Sequence, residues 1–104
     1  MVKTYYWYFG TQHTSTIKVD FSAKKVEVEH HSDVKPICAF SGKNNITFNG
    51  WEDMIVGRCI PRSQAGCAEK IATIGITEYD PYKIIDKTYG KMAGDCFKIV
   101  PVEV

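Results

Sequence analysis

Four cysteines and three histidines are the side chains of this 104-residue sequence best suited to nucleophilic, redox or metal chemistry. A thiolate nucleophile needs an imidazole within hydrogen-bonding reach and a third group to orient that base. A structural zinc site takes its ligands as close pairs, because one turn must present two thiolates to one ion. Cys38, Cys59, Cys67 and Cys96 form no C-x-x-C pair. Their settings, PICAF, GRCIP, AGCAE and GDCFK, are those in which a free cysteine behaves as a small hydrophobe, so buried reduced thiols are expected in preference to two disulfides. His13, His30 and His31 all precede the first cysteine, at turn or strand-end positions. That placement predicts solvent-facing or edge imidazoles, not a Cys/His couple.

Phosphate chemistry has no better footing. Neither G-x-x-x-x-G-K-[ST] nor a G-x-G-x-x-G after a strand occurs, so no glycine-rich loop is set to cradle a nucleotide. Glu52, Asp53, Asp80 and Asp86 stand near expected helix starts, where the helix dipole favours carboxylates without any catalytic role. The residues therefore predict a protein that is not an enzyme, with no metal, no cofactor and no small-molecule substrate.

Lys and Arg number 13 against 12 Asp and Glu, a formal charge of +1. Duplex DNA is held by a basic face that neutralises several phosphates, and this balance provides none. A helix-turn-helix would place SQAGCAEKIATIG in the groove with only Arg58 and Arg62 upstream as phosphate contacts, so a DNA-binding repressor ranks behind a protein-binding module. No apolar run reaches the roughly 18 to 20 residues that span a bilayer. The opening MVKTYYWYFG lacks the parts of a secretory signal, and the expected location is the cytoplasm. The length suits one domain over residues 1–104.

Any binding surface must be built on the elements that the periodicities specify. Val2 to Phe9, then Ile17, Val19 and Phe21, then Val26 and Val28 alternate with polar residues in the strand period. GTQHTS and SAKK between them are turns, giving a three-stranded antiparallel meander. Lys35 to Phe40 reads as a short strand or extended edge, and SGKNN as a loop. Trp51, Met54, Ile55 and Cys59 then fall on one helical face, with Asn49 as cap and Pro61 ending the helix near Ile60. Ser63 is expected to cap a second helix with Ala68, Ile71 and Ala72 inward and Gly75 as its stop. Asp80 caps a third, with Pro81 in its first turn, Ile84 and Ile85 inward and Gly90 at its end. Gly90 and Gly94 mark sharp turns or close approaches before a last strand from Phe97 to Val104. Strands, then three short helices, then one strand specify an α+β domain, its helices packed on one side of a small antiparallel sheet.

The first strand carries aromatics on both faces, Tyr5, Trp7 and Phe9 on one and Tyr6 and Tyr8 on the other. Either the chain's own helices and loops cover both, or one is an interface of the kind enriched in tyrosine and tryptophan.

Residues 51–101 resemble the end of the N-terminal subdomain of HipA-type toxin kinases. The shared steps are the aromatic-led helix at Trp51, the Ile60-Pro61 step followed by Arg62, and the Asp80-Pro81 helix start. The Gly90 to Gly94 turn then leads into the apolar strand Phe97 to Pro101. The strand-rich opening is similar in pattern. The family's segment continues into a kinase body, whereas this sequence has no catalytic Asp, metal-binding Asp or ATP-binding Lys in kinase context. The resemblance implies a stand-alone copy of the subdomain, an antitoxin-like partner that docks on the N-lobe of a HipA-type Ser/Thr kinase. It implies partner-binding residues Trp51, Arg58 and Arg62 at the helix-to-proline step, with Tyr79 and Tyr82 beside them. Trp51 would enter a pocket on the kinase and the arginines would pair with its carboxylates. A phage or mobile-element inhibitor of a bacterial defence protein, such as an anti-CRISPR-like protein, is the rival reading.

Overall fold

The side-chain alternation of the first strand decides which aromatics become core. Strand β1 (Val2–Phe9) turns into β2 (Gln12–Asp20), and β2 into β3 (Lys25–His30), which is the expected meander. After the helices, β4 (Phe97–Val102) returns to pair antiparallel with β1, so the sheet runs β3-β2-β1-β4. The computed structural model describes residues 1–92 and 94–102; the predicted continuation of the last strand to Val104, and Ala93, lie outside the described residues.

The register places Tyr5, Trp7, Ile17, Val19 and Ile99 on one face, and all are buried. Three helices supply the other half of the core. α1 (Phe48–Gly57) contributes Trp51 and Ile55, α2 (Cys67–Ala72) Cys67 and Ile71, and α3 (Pro81–Thr88) Ile84 and Ile85. The domain is α+β, with the helices alongside one face of a four-stranded antiparallel sheet. Tyr6, Tyr8 and Val100 point to the other face, half-exposed.

Local chemistry moves several boundaries. α1 starts three residues earlier than its apolar stripe, because Thr47 Oγ1 accepts the Gly50 amide at 3.0 Å and so caps the helix in place of Asn49. α2 starts at Cys67, after Gly66 at φ +77°, and buries Cys67 and Ile71 while Ala68 and Ala72 face solvent; Ser63 is no cap. α3 is as expected at its start, Asp80 Oδ1 accepting the amides of Tyr82 and Lys83. At its end Tyr89 enters left-handed space one residue before Gly90. Gly75 is left-handed as expected, at φ +84°. The segment Lys35 to Phe40 forms no strand: Pro36 removes an amide donor, and two short 3-10 turns, Lys35–Ile37 and Ala39–Gly42, take its place. Cys96, expected inside, is exposed; Cys38, Cys59 and Cys67 are buried free thiols.

An extra residue in β2 seats the 3-10 turns. Trp7 pairs with Ser15 but Tyr8 pairs with His13, so Thr14 has no partner on β1. Such a bulge re-aims one side chain: Thr14 is fully buried and its hydroxyl donates to the Ile37 carbonyl at 2.8 Å. Ser15 Oγ accepts the Ala39 amide at 3.1 Å from the next turn.

Gly90 is the tightest point between helix and sheet. Its φ is +61°, and a Cβ there would lie 2.9 Å from Ile99 Cγ2 and 3.1 Å from Ile85 Cδ1, both inside the core. Gly10 has a similar φ of +60° but open space where its Cβ would be. Chemical denaturation should therefore separate the two. Gly10→Ala should lose about 1 kcal/mol from backbone strain alone, and Gly90→Ala should lose roughly 2 to 4 kcal/mol because core displacement adds to the same strain. Equal losses would contradict this account of the contact.

Candidate functional site

A wide depression lies on the surface where α1 ends and the chain steps through Ile60 and Pro61. Pro61 cannot continue a helix, so the chain turns across the end of α1 and lays Arg62 over the ring of Tyr79, with the guanidinium 4.7 Å from the ring centroid. The Tyr79 hydroxyl donates to the Ile60 carbonyl at 2.8 Å, which fixes the ring as a wall. Burial raises the Tyr79 phenol above its ordinary range, only partly offset by Arg62. Between these residues and Val56, Cys59, Pro61 and Ser63 lies an open groove of about 760 Å³. Its floor is apolar, Val56 is half exposed, and a guanidinium stands at its rim. Arg62 makes no ion pair among the described residues, which leaves its donors available.

The five residues named from the sequence divide between this groove and the interior. Arg62 and Tyr79 line it together. Trp51 does not, for it is fully buried with its ring 4.8 Å from Tyr5 and its Nε1 donating to the Tyr82 hydroxyl at 3.2 Å. Insertion of Trp51 into a partner's pocket is therefore corrected to a core role. Tyr82 is half-buried, receiving that bond and meeting Phe21 edge-on at 5.4 Å between ring centroids.

Arg58 is also spent inside the molecule. Its Nε donates to the Gly90 carbonyl at 2.7 Å, and one terminal nitrogen reaches both Asp95 oxygens, at 3.0 and 3.2 Å, and the Phe97 carbonyl. The guanidinium lies 5.3 Å from the Trp7 ring centroid. Burial acts to raise the Asp95 carboxyl, but Arg58 and the Phe97 amide outweigh it and hold the group below the usual carboxylate range. Val56, absent from the sequence-based set, is the added groove residue. It stands beside Ile55 and off the Trp51/Met54/Ile55 stripe, a signal readable as an apolar residue on a solvent face.

The histidines meet hydroxyls and carbonyls. His30 Nδ1 lies 2.7 Å from Ser15 Oγ and its Nε2 2.8 Å from the Lys43 carbonyl. Because a carbonyl only accepts, Nε2 holds the proton and Nδ1 receives the serine hydroxyl. The Ser/His contact has the geometry of a nucleophile and base, but Ser15 is fully buried, so the pair fastens the loop after β3 and reaches no substrate. On the open sheet face His13 stacks on Tyr6, 4.1 Å between ring centroids, and donates from Nε2 to the Ser15 carbonyl. Thr16 Oγ1 lies between His13 Nε2 at 3.1 Å and His31 Nε2 at 2.8 Å. His31 is exposed, as expected, whereas His13 and His30 are half-buried.

Of the thiols, Cys59 lines the groove but burial, with Asp80 adding, pushes it up to about 11. It remains protonated at neutral pH and is a poor nucleophile there. Among the described residues no group of three or more ligating side chains could hold a metal ion, and no helix is long and apolar enough to cross a membrane. Comparison with family models, curated proteins and solved structures finds no match.

Burial, reinforced by His31 and opposed by the Ser15 carbonyl, lowers the His13 pKa below its ordinary 6.5. The unfolded chain then takes up this proton at a higher pH than the folded one. The contribution is therefore complete above about pH 6.5 and lost as pH falls through the folded value. Melting temperature should decline between pH 7 and pH 5, and His13→Phe, which keeps a ring on Tyr6, should flatten that decline. An unchanged slope in the variant would refute the assignment.

Proposed function

We propose that this chain is a non-catalytic protein-binding regulator, the antitoxin-like partner of a HipA-type Ser/Thr kinase, and that it grips the kinase through the groove at the end of α1. The observation that carries the reading is the pairing of an apolar floor with an uncommitted guanidinium lying over Tyr79. Such a combination suits a partner segment that offers an aliphatic side chain and a carboxylate. The Ile60-Pro61-Arg62 step that builds the groove is also one of the steps in which the sequence resembles the kinase subdomain. Further support comes from the chemistry already absorbed: the Ser15–His30 pair is sealed in and Cys59 is protonated. Binding to such a kinase would place the protein in the cytoplasm.

Co-expression with a HipA-type Ser/Thr kinase from the same genome, followed by affinity capture and titration calorimetry, tests the proposal. A complex at micromolar concentration or tighter is expected. Arg62→Glu or Val56→Asp should weaken it by roughly tenfold or more, about 1.4 kcal/mol, with the melting temperature of the free protein unchanged. No complex, or a complex indifferent to both substitutions, would overturn the reading.

A further inference from the structure

The two edges of the sheet are finished differently. On β4 the outward amide of Phe97 donates to Asp95 Oδ1 at 3.0 Å, that of Ile99 donates to the Tyr89 carbonyl at 2.7 Å, and Pro101 has none. Arg58 occupies the Phe97 carbonyl. Among the described residues, no outward donor on β4 is left for another strand.

On β3 the phase of the ladder is set by two bonds. The His31 amide donates to the Thr14 carbonyl at 2.8 Å, towards β2, and Asn44 Nδ2 donates to the Val28 carbonyl at 3.1 Å from outside. Alternate residues of an antiparallel edge strand bond inward and outward. Lys25, Glu27 and Glu29 thus bond to β2, while Val26 and Val28 turn their main-chain groups outward. The Val26 amide, the Val26 carbonyl and the Val28 amide have no partner among the described residues.

Side chains on the two faces of this edge differ in kind. Val26 and Val28 are half-buried on the helix side, at the margin of the core with Phe21, Ile46 and Phe48. On the open side Glu27 and Glu29 are exposed and make no ion pair among the described residues, and Lys25, exposed at the start of the same row, stands opposite Asp20, which offsets its charge. A cleft of about 130 Å³ opens there, lined by Thr16, Lys18, Glu27, Val28 and Glu29. Lys18 sits one strand further in, opposite Glu27. A cation beyond the edge would be roughly 5 Å from the carboxylates and about twice that from Lys18, where screening is already strong.

We infer that the β3 edge accepts an extended segment of a protein partner as an added strand. Apolar residues of that segment lie on the helix side and Lys or Arg on the open side, facing Glu27 and Glu29. Main-chain bonds to the Val26 amide, the Val26 carbonyl and the Val28 amide give the strand its register, with Asn44 keeping the Val28 carbonyl, and the alternation gives the selectivity. This surface is separate from the groove and does not depend on the kinase reading.

Amide hydrogen exchange on the full chain tests it, with a blocked hexapeptide of alternating valine and lysine as probe and its valine/glutamate counterpart as control. In the free protein the Val26 and Val28 amides should exchange at least 100-fold faster than that of Ile99. The lysine peptide should slow both by tenfold or more, and the glutamate peptide should not. The double variant Glu27→Lys/Glu29→Lys, altered only at exposed positions, should invert that preference. Arg62→Glu should leave the protection unchanged, which separates this edge from the groove. Slow Val26 and Val28 exchange in the free monomer, equal protection by both peptides, no protection by either, or concentration-dependent protection by a second copy would each overturn the inference.

Discussion

One guanidinium joins the parts of this fold that are furthest apart in sequence. Arg58 closes α1, rests on Trp7 of β1, and bonds to the Gly90 carbonyl, Asp95 and the Phe97 carbonyl. Its side chain is only 11 % exposed, so an uncompensated charge there would be costly. Its compensation is the bonding set just named. The same set explains why Gly90 must be bare and why Asp95 stands before β4: one lets the turn approach Ile99, and the other neutralises the arginine while holding the first amide of the strand.

The surfaces follow from that fastening. With α1 fixed at its end, the chain turns through Ile60 and Pro61, and Arg62 comes to lie on Tyr79 with Val56 beside it. With β4 tied to the turn before it, that edge is closed and the sheet's free main-chain groups are left on β3. Two arginines four residues apart thereby take opposite fates. Arg58 is consumed by the fold, and Arg62 is presented to whatever fills the groove.

How much of this could be read from the chain depends on how local each cause is. The meander, the Asp80-Pro81 helix start and the inward Ile84 and Ile85 were legible because period and capping are short-range signals. The cap of α1 was not, since Thr47 and Asn49 are both competent and only the hydrogen bond to Gly50 distinguishes them. Ser63 misled because Gly66 adopts left-handed geometry and delays α2, which rotates its buried face from the alanines to Cys67. The bulge at Thr14 leaves no trace in an alternation of polar residues. In the candidate site Arg62 and Tyr79 were readable from the step that holds them. Arg58 was not, because its carboxylate partner is 37 residues away, and neither was the burial of Trp51 against a strand more than forty positions earlier.

Whether Arg58 is an internal fastening or a binding residue is measured most directly by equilibrium urea unfolding of Arg58→Lys. Lysine keeps the charge but not the planar fork that reaches Gly90, Asp95 and Phe97 together. A loss of roughly 2 kcal/mol or more, with faster exchange at the Ile99 amide, is the predicted result. Unchanged stability would contradict this, because Arg58 would then not be fastening the fold.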